Sequence, residues 1–221
     1  MPPENGIRTR EPRHLPIWLK IGYSAFVAAL VPCYWATYGP WNFLFVCDVA
    51  LLVTVAALWR ESPLLVSMQA VAITLPQALW LLDLLVRLSA GTHLTGVTRY
   101  MFDSSIPAFV RGLSSFHGWL PGLLLWLVWR LRYDSRALAA QSAAGVALFA
   151  VCFLFGPPPG APGHPRWAVN INYVYGLDDA RPQALMAPGL WLGLLMAFNV
   201  VALYLPTHLL LRRCFGARRH V

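Results

Sequence analysis

Charge is what this sequence has least of. Nine Asp and Glu and seventeen Lys and Arg occur in 221 residues, and sixteen of the seventeen are arginine. With 12% charged and 58% hydrophobic residues, the chain carries about half the charge of an ordinary globular domain. Mean hydropathy is +0.56. Such a composition excludes a disordered chain, a nucleic-acid arm and an ordinary soluble enzyme, and nucleic acid is not expected as a partner. Cysteine is scarce too. The four, at 33, 47, 152 and 214, show no CxxC spacing, so neither a disulfide framework nor a zinc knuckle is expected. HExxH, GxSxG, P-loop and GxGxxG patterns are absent, and no metal or cofactor is expected.

Long apolar runs are what the chain has in abundance. A hydrocarbon core about 30 Å thick needs about 20 helical residues, and six stretches qualify: 17–37, 41–59, 64–88, 107–131, 137–156 and 189–211. Gly39-Pro40, Arg60-Glu61-Ser62-Pro63, the Arg130–Arg136 segment and Pro157-Pro158-Pro159 punctuate them, as helix breakers should. The runs are too long and continuous for barrel strands. The expected fold is therefore all-α: a polytopic, multi-pass cell-membrane bundle of six helices over 17–211, with basic tails at 1–16 and 212–221. The first run carries Lys20 and lacks a small-residue cleavage site, so it is expected to be retained.

Orientation follows the arginines. With the amino terminus inside, twelve of the seventeen basic residues fall on the cytoplasmic side, which favours both termini inside. The loops 89–106 and 157–188 then face outward. The second contains Asn170-Ile-Asn172-Tyr173-Val-Tyr175, too aromatic for a solvated linker and suited to the headgroup level. Membrane lipids are the expected partners.

Polar groups inside apolar runs are costly and indicate function by default. At about 1.5 Å per residue, Cys47 lies roughly 9 Å, Asp83 roughly 8 Å and His117 roughly 15 Å below the outer edge, so they converge on the outer half. Asp83 and Arg87 are spaced i,i+4 on one helical face, as an ion pair between helices or as part of a site. Arg111 at the rim reads as a snorkelling side chain. Gln77, beside the kink expected at Pro76, and Asn199 read as interhelical hydrogen-bond glue. His117, in Ser114-Ser115-Phe116-His117-Gly118-Trp119, reads either as a core residue or as lining a cavity. Cys47 alone would pass as a small buried hydrophobe, and the neighbouring Asp48 could orient a histidine.

In order along the chain, three short motifs resemble those of the YwaF-like integral membrane proteins. They are Asn42-Phe-Leu-Phe-Val-Cys47-Asp48, Ser115-Phe-His117-Gly-Trp, and Asn172-Tyr173-Val-Tyr175 followed by a last helix reaching Tyr204-Leu-Pro206. Phe45 stands where that family's second-helix motif has a histidine, and Phe116 separates Ser115 from His117. Animal relatives of the family are six-span phospholipid acyltransferases that use a Cys and a His. The resemblance implies Cys47 as nucleophile and His117 as its base. Asp48, Asp83, Arg87, Asn170 and Asn172 form the expected supporting polar site, with Asn170, Asn172 or Arg87 as oxyanion donors. Two other readings stay open: a non-enzymatic transporter or lipid-binding membrane partner, and a metal-dependent lipid hydrolase using His and Asp.

Overall fold

The computed structural model describes residues 14–216. Among them the chain is helical, with no strand. Helix α1 (Ile17–Tyr38) is followed by a 3-10 turn at Pro40–Leu44, α2 (Val46–Arg60) and α3 (Pro63–Ala90). Next come α4 (Ala108–Leu113), α5 (Phe116–Leu131) and α6 (Ala137–Phe155). The last helix is continuous from Pro188 to Phe215, with α7 (Pro188–Phe198) and α8 (Leu205–Phe215) joined by a π-helical turn at Asn199–Tyr204. Leu205 N–H there reaches back five residues to the Val200 carbonyl. Pro206, which has no N–H to give, follows at once.

Among the described residues four helices are long and apolar enough to cross a membrane: Ile17–Tyr38, Pro63–Ala90, Ala137–Phe155 and Pro188–Phe215. They agree with four of the six expected runs to within a few residues, except that the last helix includes Arg212 and Arg213, assigned above to a tail. The rest of the expected basic tails, 1–13 and 217–221, lies outside the described residues. The runs 41–59 and 107–131 are not single helices. Phe45, extended at φ −61° and ψ 139°, separates the Pro40–Leu44 turn from the 15-residue α2. Ser114 and Ser115 separate α4 from the 16-residue α5.

Helix α3 is the central element. It packs most extensively on α5, then on α2 and α6. Small residues such as Ala70 and Ala72 let its neighbours approach closely, and Leu51, Leu58, Ile73, Leu120, Leu124 and Leu127 close the core around it. Large apolar side chains elsewhere face outward, among them Trp18 at 71% exposure, Leu154 at 67% and Leu88 at 66%. In water such a surface would be an aggregation hazard; against lipid tails it needs no partner.

The bundle has two distinct ends. At one, Asp134 N–H donates to Ser67 Oγ at 3.0 Å, and Tyr133 and His208 share a hydrogen bond of 2.7 Å. At the other, both long loops gather over the ends of α1, α3 and α6. Ala168 N–H donates to the Tyr38 carbonyl at 2.8 Å, and Arg166 reaches the Ser105 carbonyl at 3.3 Å.

Glu61 ties the first end together. It closes α2 in the left-handed region, φ 48°, and accepts from Lys20 Nζ at 2.6 Å, Leu15 N–H at 3.1 Å and His14 Nδ1 at 3.2 Å. Burial pushes its carboxyl up, but the bonds from Lys20, Leu15 and His14 outweigh this and hold it below the usual glutamate range. A depressed folded-state pKa contributes stability above the unfolded value, about 4.3, and loses it as pH falls through the folded value. Glu61→Gln should therefore cost about 1 kcal/mol at neutral pH. Melting curves in detergent should show the wild-type advantage shrinking below about pH 4; an advantage that persists there would mean the charge is not what binds.

Candidate functional site

Cys47 and His117 occupy the same position in their helices. Each is the second residue of a short helix that starts inside an apolar run, α2 for Cys47 and α5 for His117. The α2 start is held from a distance. Asn172, in the 3-10 turn Ile171–Tyr173, accepts from Val46 N–H at 3.0 Å and donates to the Leu44 carbonyl at 2.8 Å. It also donates to Cys152 Sγ at 3.6 Å. The start of α5 runs through tight bonds, with His117 N–H on the Ser114 carbonyl at 3.2 Å and Gly118 N–H on the Ser115 carbonyl at 2.9 Å.

His117 Nδ1 lies 2.8 Å from that same Ser114 carbonyl. A carbonyl only accepts, so Nδ1 carries the proton and Nε2 of the neutral ring keeps its lone pair. The imidazole stacks on Trp80, with centroids 5.1 Å apart and planes at 20°, and Tyr100 is 6.5 Å away. The Ser114 hydroxyl meets the Tyr34 hydroxyl at 2.5 Å.

The Cys47 thiol donates to Asp48 Oδ2 at 3.6 Å. Asp48 is 3% exposed, and its Oδ1 has no hydrogen-bond partner among the described residues. The same is true of Tyr38 Oη, Asn42 Nδ2, Gln77 Oε1 and Arg111 Nε. Among the described residues no hydrogen bond joins Cys47 to His117. Asp48 does not hold the imidazole either, since the Ser114 carbonyl fills that role. Tyr100 is the residue that approaches both Trp80 and His117.

The expected supporting residues divide differently. Asp83 does not pair with Arg87. It is fully buried and faces the loop 89–106, accepting from Thr95, Gly96 and Thr98 N–H at 2.6, 3.0 and 3.1 Å. The Thr95 and Thr98 hydroxyls donate to it at 3.2 and 2.5 Å, and His93 Nδ1 at 3.2 Å. Arg87 donates to the Gly91 carbonyl and lies over Phe102, 5.2 Å from the ring centre. Asn170 braces its own loop, accepting from Tyr175 N–H at 3.0 Å and donating to the Gly176 carbonyl at 2.9 Å. The amide groups of Asn170 and Asn172 are thus engaged with protein atoms rather than presented as oxyanion donors. Asn199 donates to the Leu195 carbonyl of its own helix at 2.9 Å and does not bridge helices there. Arg111 donates to the Met101 carbonyl at 3.0 Å.

The geometry adds Tyr34, Ser114, Trp80 and Tyr100, none of which was singled out from the sequence. Tyrosine and tryptophan near a span end read as interfacial belt, which masks a polar role. Among the described residues no group of three or more His, Cys, Asp or Glu side chains is gathered to hold a metal ion. Comparison with known protein families, curated proteins and solved structures returned no match.

Asp83→Asn should turn an amide donor towards donors and cost about 3 kcal/mol. Melting in detergent should drop, and protease sensitivity within 89–106 should rise. Adding Arg87→Leu should recover none of the loss. Recovery in the double variant would reinstate the ion pair.

Proposed function

We propose that the chain is a YwaF-like protein that crosses the membrane six times with both termini in the cytoplasm, and that it transfers or hydrolyses the acyl group of a lipid ester. The observation that carries this reading is the placement of Cys47 and His117 each as the second residue of a short helix that begins inside an apolar run, with the buried Asp48 Oδ1 beside the thiol lacking a partner among the described residues. The alternation of tertiary contacts between the two ends of the bundle supports six crossings. The breaks at Phe45 and Ser114–Ser115 let α2 and α5 begin below the outer surface rather than at it.

The chemistry follows from these groups. His117 Nε2 takes the proton of the Cys47 thiol as the sulfur attacks the ester carbonyl carbon. The positive end of the α2 dipole faces the charge developing on sulfur. The tetrahedral intermediate collapses to a thioester, and the departing alkoxide takes the proton back from the imidazolium. Water or a second lipid hydroxyl then gives its proton to His117, attacks the thioester and releases the thiolate, which is reprotonated. Tyr38 Oη and Asn42 Nδ2, as donors without partners, are better suited to the oxyanion than Asn170 or Asn172.

A non-enzymatic, lipid-binding reading draws on a separate feature. A groove of about 510 Å³ between α1 and α5 is lined by Trp18, Leu19, Gly22, Tyr23, Phe26, Trp119 and Leu123. This suits an alkyl chain.

The two readings part on Cys47→Ser. In lipid nanodiscs holding a phospholipid with a labelled acyl chain, the wild type should release or transfer the label, and Cys47→Ser should abolish it with folding intact. His117→Ala should match it, and the double variant should be scarcely worse than either, as for residues acting as a unit. Turnover that survives Cys47→Ser ends the acyl-transfer reading. For the topology, reporters fused after Arg60 and Arg136 should be cytoplasmic, and reporters within 89–106 and 157–188 should lie on the other side. A cytoplasmic signal from either loop would reverse the assignment.

A further inference from the structure

Trp80 lies one turn before Asp83 on α3, and the two residues grip the same outward loop. Asp83 holds the backbone at Thr95, Gly96 and Thr98. Trp80 donates its indole N–H to the Tyr100 hydroxyl at 3.2 Å, Tyr100 belonging to the 3-10 turn Arg99–Phe102. Trp80 is 6% exposed, and its ring lies flat on His117.

An imidazole has a broad, roughly two-fold torsion about its ring bond, so one hydrogen bond does not fix its plane. The Ser114 carbonyl sets which nitrogen carries the proton, and the indole face restricts rotation out of plane. A phenyl ring at position 80 would supply the face without the N–H. The N–H is what extends the contact to the loop.

We propose that Trp80 is a positioning residue for His117, and that its bond to Tyr100 makes the outward loop 89–106 part of the histidine's seat. The role in turnover rests on the reading of His117 as base; the seat itself does not. With the loop down on Asp83, Tyr100 orients the indole and the indole orients the imidazole. Weakening the hold of Asp83 on the loop would shift Tyr100, take the acceptor from the indole and free the imidazole to turn. The seating of the loop and the seating of the base are thereby coupled.

The test uses the full chain, labelled with ¹⁵N-histidine, in nanodiscs without acyl donor. His117 is assigned by the signals that vanish in His117→Gln. The wild type should show a protonated Nδ1 and a bare Nε2 as separate signals. In Trp80→Leu the two should move towards a common averaged position, and Trp80→Phe, which keeps the face and loses the N–H, should move them part of the way. Asp83→Asn should shift the His117 signals in the wild-type background and add no further shift in the Trp80→Phe background, where the link to the loop is already cut. Should Trp80→Leu not fold, Tyr100→Phe, which removes only the acceptor of the indole N–H, should move the signals as Trp80→Phe does, and unchanged signals there overturn the proposal. Unchanged signals in Trp80→Leu overturn the proposal, and so does an equal Asp83→Asn shift in the Trp80→Phe or Tyr100→Phe background. Because no acyl donor is present, these outcomes are independent of whether Cys47→Ser abolishes turnover.

Discussion

A peptide N–H or C=O left bare in hydrocarbon costs several kcal/mol, yet this chain interrupts two of its apolar runs. Each interruption is filled from within. Asn172 supplies an acceptor to Val46 and a donor to Leu44 across the break at Phe45. The Ser114 carbonyl takes both the main-chain N–H and the ring N–H of His117 across the other. Satisfying these groups is what allows helices to begin inside the bundle, and Cys47 and His117 stand where they do because those helices begin there. Without Asn172, α2 would have no reason to start at Val46, and the thiol would have no fixed direction.

Much of this fold was legible in the amino-acid sequence, because run length and helix breakers are local properties. The four membrane-length helices follow the apolar stretches to within a few residues, and both long loops lie where Pro, Gly and polar residues cluster. The breaks were not legible. Phe45 carries no propensity against helix strong enough to mark a boundary, and its partner Asn172 is 127 positions away in the chain. Asp83 and Arg87 illustrate the same limit in the site. Their spacing points to a pair, but the backbone N–H groups of Thr95, Gly96 and Thr98 converge on the carboxylate from a loop whose path no spacing rule describes. Charge-assisted bonds to several amides outcompete one flexible arginine. Asn170 and Asn172 read as donors awaiting a substrate, and both instead serve backbone in left-handed conformations, at φ 49° and 58°.

The two long loops are built by one device. Each is organised around buried polar side chains that replace the secondary structure the loop lacks: Asp83 for 89–106, and Asn170 with Asn172 for 157–188. The loops also touch one another through Arg166 and Ser105, so the end of the bundle above Cys47 and His117 is covered by backbone fixed from below.

The π turn at Asn199–Tyr204 bears on how the last helix is to be read. Its better-buried positions are 191, 195, 199, 203, 207 and 211, together with 192, 196, 200, 204 and 208. That is a strict four-residue spacing. On an ideal helix of 3.6 residues per turn, each step of four overshoots by about 40°, and five such steps accumulate about 200°. A straight α-helix would thus carry His208 and Leu211 around to the lipid side. The wider turn absorbs part of that drift and returns them to Tyr133 and α3. The segment is two wheels out of phase, and a single residue deleted between 199 and 204 would leave the composition almost untouched while turning the carboxy-terminal half of the helix by about 100°.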